Sequence, residues 1–182
     1  YYSLKSLENL LEPYGFEVFD AYHSPIHGGS VISKIGFKGE FSRTERYTRF
    51  KVDESTVITP NIIRDFGDNV SNWRYDFLSL MANIKTAGYK IYGFGAPAKG
   101  NTLLTYASMS RYFIETLFEK NPLKFDKYTP VTHIPIVEED LDIVEDDSYG
   151  LLLSWNFQDE IISNVKAKTD KLITFIHPFK DK

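Results

Sequence analysis

The sequence predicts an α/β fold: a mostly parallel sheet flanked by helices. Three observations carry that prediction. From Tyr89 onward, short apolar segments alternate with helical ones. The first of those segments runs through a Gly/Ala/Pro loop straight into a helix. The composition, 42% apolar and 25% charged over 182 residues, is that of one ordinary folded chain with a real core. Strands separated by helices need crossover connections, and crossovers give parallel sheets.

The elements follow in order. Ser3 is placed to cap a helix whose Leu4, Leu7, Leu10 and Leu11 recur at helical spacing. A helix of this kind usually lies inside a domain, so sequence upstream of Tyr1 is expected. Gly15 closes the helix, and Phe16 to Tyr22 alternates apolar with polar as a strand does. His27-Gly28-Gly29-Ser30 reads as a turn and Val31 to Ile35 as the returning strand. Residues 37–58 are polar with little periodicity and read as a connection with room for a short helix. Thr59-Pro60 then starts a long helix, on the order of 40 Å at about 1.5 Å per residue, ended by Gly88. Its stripe of Ile63, Phe66, Val70, Trp73, Phe77, Leu80 and Ile84 suits a helix lying on its own sheet. A dimeric coiled coil is less favoured, because no ordered charge pairs flank the stripe.

Beyond Gly88, strands are expected at 89–94, 114–118, 133–136, 149–153 and 172–176. Helices are expected at 101–108, at the acidic run opening with Glu138, and at 157–165. This is a Rossmann-like pattern. Three segments result: 1–36, 37–88 and 89–182.

Several function classes are set aside early. A net charge of −4 argues against a protein that neutralises nucleic-acid phosphates. With no cysteine there is no disulfide, thiolate zinc site or cysteine nucleophile. No apolar run approaches the roughly 20 residues that span a bilayer, and no signal-peptide pattern opens the chain. A cytoplasmic location is expected. Phe, Tyr and Trp make up 15%, which suits a dense core or aromatic-lined clefts.

Chemistry concentrates in Tyr92-Gly93-Phe94-Gly95-Ala96-Pro97-Ala98-Lys99-Gly100-Asn101-Thr102. A glycine loop between strand and helix aims amides beyond the strand end, where the helix dipole favours an anion. The Gly95-to-Gly100 spacing approaches a phosphate-binding loop of nucleotide triphosphatases. Asn101, however, stands where that loop needs lysine, and Lys99 comes two places early. The third glycine of a dinucleotide fingerprint is replaced by Ala98, and no acidic ribose-binding residue is evident after the second strand. An anion site of another kind is therefore expected at Gly95, Ala96, Lys99, Gly100, Asn101 and Thr102. The alternative is a plain strand-to-helix turn. His133, and Trp155-Asn156 at the end of a buried strand, fall at sheet edges, where such folds bind ligands. His23 and His27 are four apart, but Pro25 between them spoils a helical metal pair, and no metal is expected.

Three spaced segments together carry a resemblance: Gly95 to Leu104, Asn121-Pro122-Leu123-Lys124 leading to Thr132-His133-Ile134-Pro135-Ile136, and Trp155 to Ile161. They resemble the C-terminal domain of the S-adenosylmethionine-dependent sugar C-methyltransferases. Tyr2-Ser3-Leu4, Gly15-Phe16-Glu17-Val18 and His27-Gly28-Gly29-Ser30 resemble the last stretch of that family's central methyltransferase domain. The resemblance implies a Rossmann-like C-terminal domain preceded by a helix and β-hairpin remnant of a class I methyltransferase domain. It also implies that the cofactor motif and the catalytic Glu-His pair lie upstream of Tyr1, so the chain alone is expected to be inactive and to hold no cofactor.

What would remain is a module binding a nucleotide-diphosphate sugar. Lys99 would pair with phosphate, and His27, Gly28 and Gly29 would lie nearest the sugar. His133, Trp155 and Asn156 would complete the site. Two other readings stay open: an accessory module for O- or N-methylation of another acceptor, and an association domain built on the long helix. A free-standing dehydrogenase is the weakest rival. Oligomeric state is left undecided.

Overall fold

In a computed structural model, residues 2–26 and 29–179 are described. They divide into two compact units, 1–69 and 70–182. In the first, α1 (Leu4–Leu11) is capped by Ser3, which exchanges hydrogen bonds with Ser6 as a capping box. A single 3-10 turn, Glu12–Tyr14, separates it from β1 (Phe16–Ser24), which pairs antiparallel with β2 (Ser30–Phe37). A bulge lies between Val18 and Asp20. The extra residue breaks strict alternation, so that Val18, Asp20 and Ala21 are all buried.

The connection expected at 37–58 is instead a full helix for much of its length, α2 (Glu45–Val57). Thr44 caps it by accepting the Tyr47 amide, and Tyr47 and Phe50, one turn apart, bury with Leu4, Val18 and Ala21. Its mostly charged surface hides the helical period, because two inward residues are all that mark its buried face. Asp20 is held by the Arg46 guanidinium, the Thr44 hydroxyl (2.8 Å) and the Lys34 ammonium (3.5 Å).

Helix α3 (Pro60–Thr86) has 27 residues. From Val70 onward it belongs to the second unit, where Phe77, Met81 and Ile84 enter the core and Trp73 packs against it. Leu80, Ile63 and Phe66, all on the expected stripe, are exposed. The burying row thus turns through Met81 rather than Leu80.

The second unit is built on six strands in the order β5-β6-β4-β3-β7-β8. They are β3 (Ile91–Phe94), β4 (Leu117–Glu119), β5 (Lys127–Tyr128), β6 (Pro135–Glu138), β7 (Ser148–Leu152) and β8 (Ile173–Ile176). All pairings are parallel except that of the short β5 with β6. Alternation along the strands separates two cores. Ile91, Leu117, Ile136 and Leu151 face α3 and α4 (Ala98–Tyr106). Tyr92, Phe94, Phe118 and Leu152 face the side that holds Val165 of α5 (Gln158–Lys168). Helices on both faces of a parallel sheet make the unit a doubly wound α/β fold, as the alternation of segments predicts.

Two local expectations are corrected. Helix α4 begins at Ala98 rather than Asn101, with Pro97 extended at its cap and accepting the Asn101 amide. The acidic run from Glu138 does not open a helix. Leu141 and Val144 are drawn into the core beside Tyr92. The Leu141 and Asp142 carbonyls accept from Lys171 Nζ (2.9 and 2.8 Å), and the Ile143 carbonyl accepts from the Tyr92 hydroxyl (3.2 Å). Side chains thus take the carbonyls that a helix would have used.

Candidate functional site

The chain leaves β3, builds β4 and β6 to one side, then crosses back to form β7 and β8 on the other. That reversal puts a crevice outside the carboxyl ends of β3 and β7, the place where open α/β sheets take ligands. The loops after both strands meet there. Gly95 has φ +88, and a Cβ on it would fall 2.1 Å from Ser154 Oγ. Only glycine meets both demands, so Gly95 is what lets the two loops close on each other. The Leu153 and Ser154 amides both donate to the Phe94 carbonyl.

Of the expected site residues, the structure gathers Gly95, Ala96, Lys99, Gly100, Asn101, Thr102 and Trp155 at this edge. The Lys99 ammonium lies 4.3 Å from the Trp155 ring centre, a cation–π contact joining the two loops. Phe179 meets the same indole edge-on at 4.9 Å. Asn156 is exposed in the single 3-10 turn Trp155–Phe157. His27 and Gly28 lie outside the described residues, and Gly29 (φ +124) belongs to the first unit.

The loop's donors are not all free. The Gly95 amide donates to the Phe118 carbonyl (2.8 Å) and the Ala96 amide to Glu119 Oε2 (3.1 Å), while Pro97 has no N–H. Within residues 95–102, the amides without a protein acceptor are those of Ala98, Lys99 and Gly100, the first turn of α4. The expectation of an amide cradle from 95 to 102 therefore narrows to these three. The Thr102 hydroxyl donates to the Ala98 carbonyl (3.2 Å).

Beside this turn opens a cleft of about 650 Å³. Ala96, Pro97, Asn101 and Thr102 form one wall; Lys124, Lys127, Tyr128 and Thr129 form another. Asn101 Oδ1 is buried without a hydrogen-bond partner. Buried polar atoms are nearly always paired, so this oxygen marks a place for a donor. Val131 and His133, at φ 68 and 50, hold the Thr129–Ile134 loop in a left-handed path, one that a β-branched residue such as Val131 rarely adopts. Thr129 fastens that loop, accepting the Ile134 amide (2.8 Å) and sharing a 2.6 Å contact with the Thr132 hydroxyl. His133 itself is exposed and does not line the cleft.

Sequence reasoning passed over Glu119, Lys124, Lys127, Tyr128 and Ser154. The signal for the first was present: Glu119 directly follows the strand expected at 114–118 and ends β4 in the structure. Burial works to raise its pKa, but bonds from Lys124 and from the Asn121, Lys120 and Ala96 amides outweigh that and hold the carboxyl below its ordinary range.

The family model described as the C-methyltransferase C-terminal domain matches residues 25–179. The chain belongs to this family. It is also similar to the C-methyltransferase NovU of Streptomyces niveus, 28% identical over the whole of this chain and 44% of that protein. The chain thus spans less than half the length of that relative. The matched residues include all of the second unit that is described here, so the crevice and cleft belong to the family's own domain. Among the described residues, no helix is long and apolar enough to cross a membrane, and no cluster of three His, Asp or Glu residues is placed to hold a metal.

Proposed function

We propose that this chain is the acceptor-side module of an S-adenosylmethionine-dependent C-methyltransferase, and that it binds a nucleotide-linked keto-sugar. The observation that carries the reading is the cleft beside α4. Three unpartnered amides, the buried Asn101 oxygen and the ammonium of Lys99 lie on one segment beside or within it. Amides at a helix start and a nearby ammonium suit a diphosphate. A buried carboxamide oxygen suits an N–H or O–H of the nucleoside or sugar.

The cofactor supplies an electrophilic methyl group. The second unit's residues do not fit its ribose: Glu119 stands where nucleotide folds hold a ribose diol, but its acceptor positions are filled from within the protein. Cofactor and general base are accordingly assigned to parts of the protein outside this chain, which is inactive alone. The chain's own contribution is to bind and orient. A ketone acidifies the neighbouring C–H, and the enolate formed on proton removal is the nucleophile. Fixing the diphosphate on α4 would hold that carbon in one place. The protein is read as cytoplasmic, with no nucleic-acid or membrane partner.

Calorimetric titration with thymidine diphosphate, alongside S-adenosylmethionine, tests this. Binding of the nucleotide alone is expected, weakened about tenfold or more in Asn101→Ala. Binding of the cofactor alone would refute the division of labour.

A further inference from the structure

Gly93-Phe94-Gly95-Ala96-Pro97-Ala98 keeps the G-x-G-x-x-A spacing of dinucleotide loops, and Glu119 ends the strand that follows. In such folds that carboxylate waits for a ribose. Here it is used differently. Oε1 accepts the amides of Lys120 (2.8 Å) and Asn121 (3.1 Å); Oε2 accepts the Ala96 amide (3.1 Å) and Lys124 Nζ (3.0 Å). A carboxylate has about four acceptor positions, and all are occupied. Lys124 Nζ also donates to the Ala96 carbonyl at 3.0 Å. Ala96 is therefore gripped on both sides of its Cα, by the two partners of a single ion pair whose carboxylate is only 14% exposed.

We propose that Glu119 and Lys124 are positioning residues: they clamp Ala96 so that the loop, and the start of α4 behind it, keep the geometry in which a ligand is held. The clamp ties down, from outside, a loop that lacks the third fingerprint glycine and carries a proline in its centre. Its consequence for a ligand rests on the nucleotide-sugar reading above. The clamp itself does not.

The isosteric Glu119→Gln separates charge and acceptor count from packing. It keeps the shape, loses the ion pair, and turns an N–H₂ group toward backbone N–H donors. Amide hydrogen exchange at Ala96, Lys120 and Asn121 in the ¹⁵N-labelled chain reads the clamp directly, and titration with thymidine diphosphate reads its use. Glu119→Gln is expected to speed Ala96 exchange by roughly tenfold or more and to weaken the nucleotide comparably. Glu119→Asp, which restores the charge, recovers much of both. Lys124→Met frees the Ala96 carbonyl and speeds exchange in the same direction, a second route should the glutamine variant not fold.

A folded Glu119→Gln protein with Ala96 exchange within twofold of the unaltered chain overturns the clamp. Freed Ala96 exchange with undiminished nucleotide affinity leaves the clamp standing and overturns its role in binding. If the unaltered chain binds no thymidine diphosphate, the nucleotide reading fails, and the exchange measurement still decides the clamp.

Discussion

Lys99 shows how a single residue joins two regions far apart in sequence. Its ammonium rests over Trp155, so a phosphate that draws it away also alters the indole's surroundings. Lys99→Met keeps the reach and removes the charge. Thymidine diphosphate affinity is expected to fall about tenfold or more by calorimetry. The nucleotide-induced change in Trp155 fluorescence should vanish with it. Asp20 is a different case, a carboxylate 2% exposed and enclosed by Arg46, Thr44 and Lys34. The Arg46 hydrogen bond is the main cause of its strongly lowered pKa; burial opposes it, and the Thr44 bond adds to the lowering. A carboxyl whose folded pKa is depressed contributes stability above its unfolded value, near 4, and loses it as pH falls further. The first unit should therefore weaken below about pH 4 in urea titrations. Asp20→Asn should be weaker at neutral pH, because Arg46 loses its partner, and should show less of that acid dependence.

At the scale of elements, α3 is the informative case. The apolar stripe read from sequence includes exposed Phe66 and Leu80, while Met81, one place off it, is buried, and only packing tells them apart. Met81 is fully buried and Phe66 is 67% exposed. Met81→Ala should cost about 2–5 kcal/mol in urea unfolding of the second unit, through lost burial and the cavity left behind. Phe66→Ala should stay within about 0.5 kcal/mol. Equal effects would mean that the exposed face is covered in solution, as the association-domain reading requires. The β3–α4 connection makes a similar point. Its glycine spacing is visible in sequence, but not that Ser154 occupies the space a Cβ on residue 95 would need, nor that Glu119 and Lys124 grip Ala96.

For the whole molecule, the division into two units sets what ligand binding can stabilise. A ligand that binds only the folded second unit stabilises it by about 2.7 kcal/mol at a hundred times its dissociation constant. Thymidine diphosphate at that excess should slow amide exchange across the strands β3, β4 and β7. It should leave β1 and β2 unchanged. Slowing confined to the first unit would place the nucleotide elsewhere.

The α/β class, the strand-rich second half, the caps at Ser3 and Thr59 and the loop from Gly95 to Thr102 are all legible in the sequence. Periodicity, caps and glycine spacing are local properties, and local physics writes them directly. The sequence also carried the family resemblance, which the match over residues 25–179 bears out. Helix α2 was hidden because two buried residues, Tyr47 and Phe50, leave little period to read. The acidic run after Glu138 misled because dipole-friendly charges were present while Lys171 and Tyr92 claimed the carbonyls. Tertiary packing settles which amides of the loop remain unpaired, that Asn101 Oδ1 is buried alone, and that the Ala96 amide reaches Glu119. Each depends on partners 20 or more residues away, or on the burial that packing creates, and no local pattern specifies those.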